Sequence, residues 1–188
     1  VSCADTSPVN GGGKRLFASL LAAATLAAPA LAQEDTGGRF PNGRPMLAEG
    51  RYAEWPGDGS NPCTTGTPRT FRLIPGNPEN AEDFGRILID LGSGPAEYGL
   101  ISAELQDTPI QVWDLAGLAT VQAADAAGTR LTALMYFRND GRTDLVDARI
   151  TSPENQGEVM VRMQQNPEPH GVLSDGTTLN PFVWCGRD

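Results

Sequence analysis

The sequence predicts an all-β fold, a single antiparallel β-barrel or β-sandwich of about 8 to 10 short strands with at most one short helix. Three observations lead to this prediction. Apolar and polar residues alternate along several short segments, turn residues separate those segments, and Cys63 and Cys185 lie near the two ends of the domain. Because successive side chains of a strand point to opposite faces, such alternation is typical of a sheet with one buried face.

Residues 1–32 have the order of a cleavable signal peptide. Lys14 and Arg15 precede an apolar run from Leu16 to Ala28, and the small residues Ala30-Leu31-Ala32 follow. A basic, then apolar, then small-residue order is that of a secretory signal. The apolar run is shorter than the roughly 20 residues of a transmembrane helix. We therefore expect cleavage after Ala32, export to the periplasm or beyond, and no membrane insertion after cleavage.

The remaining chain is expected to hold a flexible arm at 33–47 and one β domain at 48–188. The arm is rich in glycine, proline, asparagine and charge and has no apolar periodicity. Residues 33–188 carry 12 arginines against 22 acidic residues, a net charge of −10. Nucleic acids and anionic membranes are bound through positive charge, so neither is an expected partner. The charge allows cationic partners, and we expect an acidic, monomeric protein.

Short strands with turns between them follow along the domain. Asn139-Asp140-Gly141 is a strong hairpin signal, because these residues tolerate the positive φ angles of tight turns. Pro78 to Phe84 is predicted as one helical turn, and Ala116 to Ala127 is either a helix or, as we favour, a strand and hairpin. The predicted strands are 48–55, 69–74, 86–91, 98–105, 110–115, 118–123, 131–138, 145–151, 158–163 and 181–185.

Cys63 and Cys185 are expected to form a disulfide. Cys3 is removed with the predicted leader, which leaves this pair in an exported chain, where thiols become oxidised. The bridge would join the first and last strands, and this favours a closed barrel over a sandwich. The triplet Gly50-Arg51-Tyr52 resembles the Gly-x-Trp motif that opens lipocalin-like barrels, with Tyr52 in place of the tryptophan. A match of three residues assigns no family.

Residues suited to catalysis are sparse. His170 is the only histidine, in a proline-bracketed loop, and a zinc site needs three or four ligands. No phosphate-binding glycine motif occurs, and Asp58-Gly59-Ser60-Asn61 lacks the ligand spacing of an EF-hand. We therefore expect no cofactor, no metal and no catalytic constellation of nucleophile and base.

Paired carboxylates remain the one enzymatic alternative. A glycosidase needs two acids about 5 to 9.5 Å apart, one of them with a raised pKa. Glu104 shares a predicted strand face with Tyr98, Leu100 and Ser102, which makes it the candidate to point into a barrel interior. The alternative function is thus a hydrolase acting on an envelope or extracellular glycan. It predicts Glu104 buried beside a second acid, with a pocket over both.

A binding role is the preferred hypothesis. We expect an exported, non-catalytic binding module, with Trp55, Tyr52, His170 and Glu104 as candidate contact residues. A carrier of a small ligand would have a cavity inside the sheet. An inhibitor or partner of another exported protein would present ordered loops around Trp55 and His170.

Overall fold

The structure is a computed structural model that describes residues 38–40, 42–106, 113–154, 157–165 and 167–187. Within these residues one helix and ten strands are formed. They are β1 Gly50–Glu54, α1 Pro62–Thr65, β2 Thr70–Ile74, β3 Arg86–Asp90, β4 Ala96–Gln106, β5 Leu115–Ala124, β6 Arg130–Arg138, β7 Thr143–Thr151, β8 Glu158–Gln164, β9 His170–Leu173 and β10 Phe182–Gly186.

The strands form a single antiparallel sheet that closes into a ring. From β1 to β9 each strand pairs with the next one along the chain, and β10 pairs with β1. β10 also pairs with β7 through Phe182 and Thr143, so β1 to β7 and β10 complete the ring. The β8–β9 hairpin extends from the far half of β7. The predicted all-β fold is confirmed, and of its two versions the barrel is the one formed.

The predicted disulfide is confirmed. Cys63 in α1 and Cys185 in β10 are bonded, with Cα atoms 5.2 Å apart and a sequence separation of 122. The Arg51 guanidinium donates a hydrogen bond of 2.9 Å to the Cys63 carbonyl oxygen, which fixes α1 against β1. The bridge therefore ties the connection between β1 and β2 to the last strand of the ring.

The barrel interior is filled by side chains. Tyr52 stacks on Phe71 with ring centroids 4.3 Å apart, and Phe71 contacts Phe182 at 5.1 Å. Aliphatic side chains from the middle strands complete the packing around these rings. The largest fully buried ones on these strands include Ile87, Ile89, Leu131, Met135 and Leu145, and Met46 from the arm before β1 is fully buried too. β1, β2 and β10 thus meet on an aromatic cluster, which is where the first and last strands pair.

The described part of the N-terminal arm packs onto this core. We expected 33–47 to be flexible, but Phe40 and Met46 are fully buried. Phe40 lies edge-on against Phe137 at 5.8 Å, and its backbone N–H donates to the Arg44 carbonyl at 2.9 Å. Two buried apolar side chains thus hold the described part of the arm against the core, although Arg39, Asn42 and Gly43 in it are exposed.

The helix prediction at 78–84 is wrong. Asn77 and Asn80 accept hydrogen bonds from the N–H groups of Glu79 and Glu82, two residues further on. Such side-chain turns compete with helical hydrogen bonds, so two tight turns form here. The one helix of the described residues is α1, and Asn61 caps it by accepting from the Cys63 N–H at 2.9 Å.

Two further sequence assignments are decided by the structure. Ala116 to Ala127, read as a helix or a strand, forms β5 and the turn that follows it. β9, with His170 at its start, was expected to be loop. Half of the predicted strand at 110–115 lies outside the described residues, as does the predicted leader. In the other half Asp114 has a φ of +53° and β5 begins at Leu115, so no separate strand forms there. In the described part of the chain, no helix has the length and apolar character needed to cross a membrane.

Candidate functional site

Tyr52 packs in the core and is not at the surface. Its side chain is 1% exposed, and its hydroxyl donates a 2.8 Å hydrogen bond to the Ala48 carbonyl oxygen. Burial raises the pKa of Tyr52 to about 12, because the phenolate would lose its hydration. The sequence suggests Tyr52 as a candidate contact residue, but its side chain points from β1 into the core and has a packing role.

Trp55 is half-buried at the end of β1, with its ring covered by an arginine. Its backbone N–H donates to the Pro181 carbonyl at 2.8 Å. The Arg142 guanidinium lies over the indole, 4.7 Å from the ring centroid, and donates to the Asp140 carboxylate at 2.8 Å. Burial alone would raise the pKa of Asp140, but the hydrogen bonds from Arg142 hold it below its ordinary value. Part of the Trp55 ring is therefore covered by Arg142 and is not available to a partner.

His170 is the first residue of β9. Its Nδ1 lies 2.8 Å from the Glu168 carbonyl oxygen. The Glu168 carboxylate pairs with Arg138 at 3.3 Å, and Arg138 also pairs with the buried Asp144 at 2.6 Å. The β6–β7 hairpin thus contacts the His170 loop through Arg138 and Trp55 through Arg142. Both loops are held by hydrogen bonds to the rest of the fold.

Glu104 lies exposed on β4. The residue opposite it on β5 is Thr120, so no acid faces it across that pair. In the described ranges, no three His, Cys, Asp or Glu side chains come close enough together to hold a metal ion. Asp58 accepts a hydrogen bond from the Ser60 N–H at 2.9 Å, which makes its loop a turn before α1.

The buried carboxylate of Glu54 connects the end of β1 to the segment just before β10. One carboxylate oxygen pairs with Arg69 at 2.9 Å, and the other accepts the Asn180 backbone N–H at 2.9 Å. A buried charge needs such partners, since an unpaired one is costly. With its hydrogen-bonding capacity used in this way, Glu54 is a structural residue.

Two exposed apolar residues were missed by the sequence analysis. Among the described residues Phe84 and Ile101 are the exposed large hydrophobic side chains, at 59% and 46%. Phe84 was read as the end of a helical turn and Ile101 as one residue of a strand. A signal for Phe84 was available, because it is the one aromatic residue in a run containing Glu79, Glu82 and Asp83.

No protein-family model, curated protein or solved structure matches this chain. The Gly50-Arg51-Tyr52 triplet has a local explanation in the fold. Gly50 has φ +124°, and a Cβ there would lie 2.1 Å from the Gly186 carbonyl oxygen. Glycine is therefore needed where β1 and β10 approach each other.

Two depressions on the described surface are candidates for ligand sites. The larger, about 290 Å³, lies on the β8–β9 hairpin beside Arg162 and Val172. The smaller, about 150 Å³, lies on β1 to β3 beside Arg51, Arg72 and Leu88. Drug-sized ligands occupy concave pockets of about 300 to 1,000 Å³ that bury most of the ligand. The volumes of both depressions lie below that range.

Proposed function

We propose that the protein is an exported, non-catalytic binding module that contacts another exported protein through the loops at its surface. The observation that carries this proposal is the filled barrel interior. Tyr52, Phe71 and Phe182 occupy the space that a ligand carrier would keep open. A ligand inside the ring would have to displace this aromatic cluster, at a cost of several kcal/mol for lost packing.

The loops at the surface also support a protein partner. Trp55 is anchored by its backbone N–H bond to Pro181, and the His170 loop by the ion pair between Glu168 and Arg138. A protein surface with loops already fixed loses less conformational entropy on binding. This is the arrangement expected of an inhibitor or partner, as opposed to a carrier.

Export is the second part of the proposal. The predicted signal peptide motivates it, and the Cys63–Cys185 disulfide is compatible with it, because such bonds persist in oxidising compartments. A net charge of −10 for residues 33–188 favours a partner with positive surface charge.

The hydrolase alternative gains no support from the position of Glu104. It required Glu104 to be buried beside a second acid under a pocket. Glu104 is exposed and lies opposite Thr120. A glycan hydrolase therefore remains an outcome of the test below and not a second proposal.

The test compares small ligands with protein partners. The full chain is expressed, and its product is purified from the exported fraction and screened by thermal unfolding with fatty acids, sugars and divalent cations. We expect no saturable rise in melting temperature, since a bound ligand would raise it by mass action. We expect saturable 1:1 binding to a purified protein from the exported fraction of the same organism.

Two results would overturn the proposal. One is a saturable thermal shift with a lipid or sugar, which would indicate a carrier. The other is release of sugar from a glycan panel that is lost in Glu104→Gln, which would indicate a hydrolase.

A further inference from the structure

Phe84 and Ile101 lie on adjoining segments of the barrel surface. Phe84 ends the connection between β2 and β3, and Ile101 is on β4. The Gly85 carbonyl oxygen, one residue after Phe84, accepts a 2.8 Å hydrogen bond from the N–H of Leu100, one residue before Ile101. The two exposed apolar side chains therefore belong to one patch, which we call the Phe84 patch.

Ile101 lies on the outer face of β4, at a β-bulge. Leu100 pairs with Ala123 and Ser102 with Gln122, so Ile101 has no residue opposite it on β5. Tyr98 is buried and Leu100 packs against the core, so alternation along β4 places Ile101 on the outer face of the sheet. There it is 46% exposed.

The loop that carries Phe84 is closed at its base. The Asp83 carboxylate accepts hydrogen bonds from the backbone N–H groups of Asn77 at 2.9 Å and Gly85 at 3.0 Å. These bonds hold the pKa of Asp83 below its ordinary value. Gly76 and Gly85 have their backbones in close contact, so that a Cβ on Gly85 would lie 2.8 Å from the Gly76 nitrogen. The backbone on either side of Phe84 is thus fixed before any partner binds, which lowers the backbone entropy lost on binding.

The charge around the patch is negative. Glu79, Glu82 and Asp83 are all exposed in the same loop. The nearby Arg86 is paired with Glu97 at 2.8 Å, so its charge is balanced. A partner that buries Phe84 will lie close to these carboxylates. They attract a cationic surface and repel an anionic one.

Trp55, the aromatic residue that the sequence analysis favours as an exposed contact, is less accessible to a partner than Phe84. The Trp55 ring is half-buried, and Arg142 lies over it. Phe84 is more exposed and has acids beside it. Exposed aromatic side chains in a fixed setting are frequent centres of protein interfaces.

We propose that the Phe84 patch is the docking surface for a cationic protein that inserts an apolar side chain between Phe84 and Ile101. This inference rests on the proposed function, because it names the surface and the chemistry of the partner. The acids provide attraction that weakens with salt, and the two apolar side chains provide contact area that does not.

The first test maps binding of three synthetic hexapeptides by amide NMR on the exported product of the full chain. One peptide has Leu-Phe between two pairs of lysine, one is hexalysine, and one has Leu-Phe between pairs of serine. We expect the first to bind tightest and to shift amide signals mainly in 75–86 and 99–102. Its dissociation constant should rise several-fold between about 20 mM and about 500 mM salt.

The second test uses variants of the patch. We expect Phe84→Ala to weaken binding of the lysine and Leu-Phe peptide about tenfold, as loss of an interface centre does. The double variant Glu79→Gln with Glu82→Gln should weaken it about threefold at low salt. The matched control is Asp58→Asn with Asp175→Asn. Asp58 and Asp175 are exposed and lie toward the Arg69 end of β2, whereas the Phe84 loop follows its other end. That variant should bind as the wild type does.

Three results would overturn the inference. One is a shift pattern centred elsewhere, and another is equal binding by wild type and Phe84→Ala. A third is a dimer that Phe84→Ala converts to monomer, since a second copy would then occupy the patch. If a purified exported partner binds with an affinity that Phe84→Ala leaves unchanged, this inference fails while the proposed function stands. If only a small ligand binds, the proposed function itself fails.

Discussion

Phe182 of β10 pairs with Thr143 of β7, and this register closes the ring of strands. The ring leaves β10 between β7 and β1, with the Phe182 ring inside against Phe71. The disulfide and the Glu54 carboxylate act on the same region, because each connects the segment around β1 to the segment around β10. Closure is therefore supported by a strand pairing, a covalent bond and a buried charge.

Removing the disulfide should destabilise the fold without changing it. For a separation of 122 residues, loop entropy gives a loss of about 4 to 5 kcal/mol in the double variant Cys63→Ser with Cys185→Ser. Urea unfolding of the variant and of the oxidised wild type measures this difference. Equal unfolding midpoints would show that the bridge is not formed or does not constrain the unfolded chain.

Replacing Glu54 should cost far more than replacing a surface acid. Glu54→Gln leaves Arg69 without its carboxylate partner, so we expect a loss of about 2 to 3 kcal/mol in the free energy of unfolding. The control is Glu97→Gln, because the Arg86–Glu97 pair has side chains 53% and 50% exposed and should change stability by less than about 1 kcal/mol. Similar effects of the two variants in urea unfolding would contradict the structural role of Glu54.

Alkaline pH should reveal the burial of Tyr52. The folded protein holds the Tyr52 proton up to a pKa of about 12, whereas an unfolded chain releases it near 10.0. Between these two pKa values the folded state keeps a proton that the unfolded chain has lost, so the free energy of unfolding falls as the pH rises. The stabilisation from Tyr52 is therefore complete below about pH 10 and is lost between about pH 10 and about pH 12. Tyr52→Phe should show a smaller fall in urea unfolding over this window. At neutral pH the free energy of unfolding of this variant should be lower by about 1 kcal/mol, because the hydrogen bond from the Tyr52 hydroxyl to Ala48 is missing.

Trp55 and Arg142 should be coupled energetically. A double-mutant cycle of Trp55→Ala and Arg142→Ala should give an interaction of about 0.5 to 1 kcal/mol in the free energy of unfolding. Arg149→Ala is the control, because Arg149 pairs with Asp147 at the surface and should show no coupling to Trp55. Trp55→Ala should leave binding of the lysine and Leu-Phe peptide intact, which separates this stack from the Phe84 patch.

Much of the fold is predictable from the sequence because local residue patterns indicate its strands and turns. Ile87 and Ile89 are the buried residues of β3, flanked by Arg86 and Asp90, and Asn139-Asp140-Gly141 forms the turn between β6 and β7. β9 has no such pattern. It is four residues long, and its Gly171 is required by a contact from another strand, since a Cβ there would lie 2.2 Å from the Leu145 carbonyl oxygen.

The candidate site was harder to predict because exposure depends on the tertiary structure. Tyr52 and Trp55 are aromatic residues of the same strand end, yet one is core and the other is covered by Arg142. Ile101 looks like any strand residue until the register with β5 places it in a bulge. Phe84 follows a turn whose hydrogen bonds replace the predicted helix.

Completing the ring with the final strand has a consequence for synthesis. Until β10 is made, β1 and the start of β7 are unpaired edges on either side of a gap, and unpaired edges are sites of aggregation. The contacts that cover them join residues far apart along the chain, which is typical of slow folding. Chains truncated before Phe182 should therefore accumulate as insoluble material, while the five residues of β10 protect both edges at once.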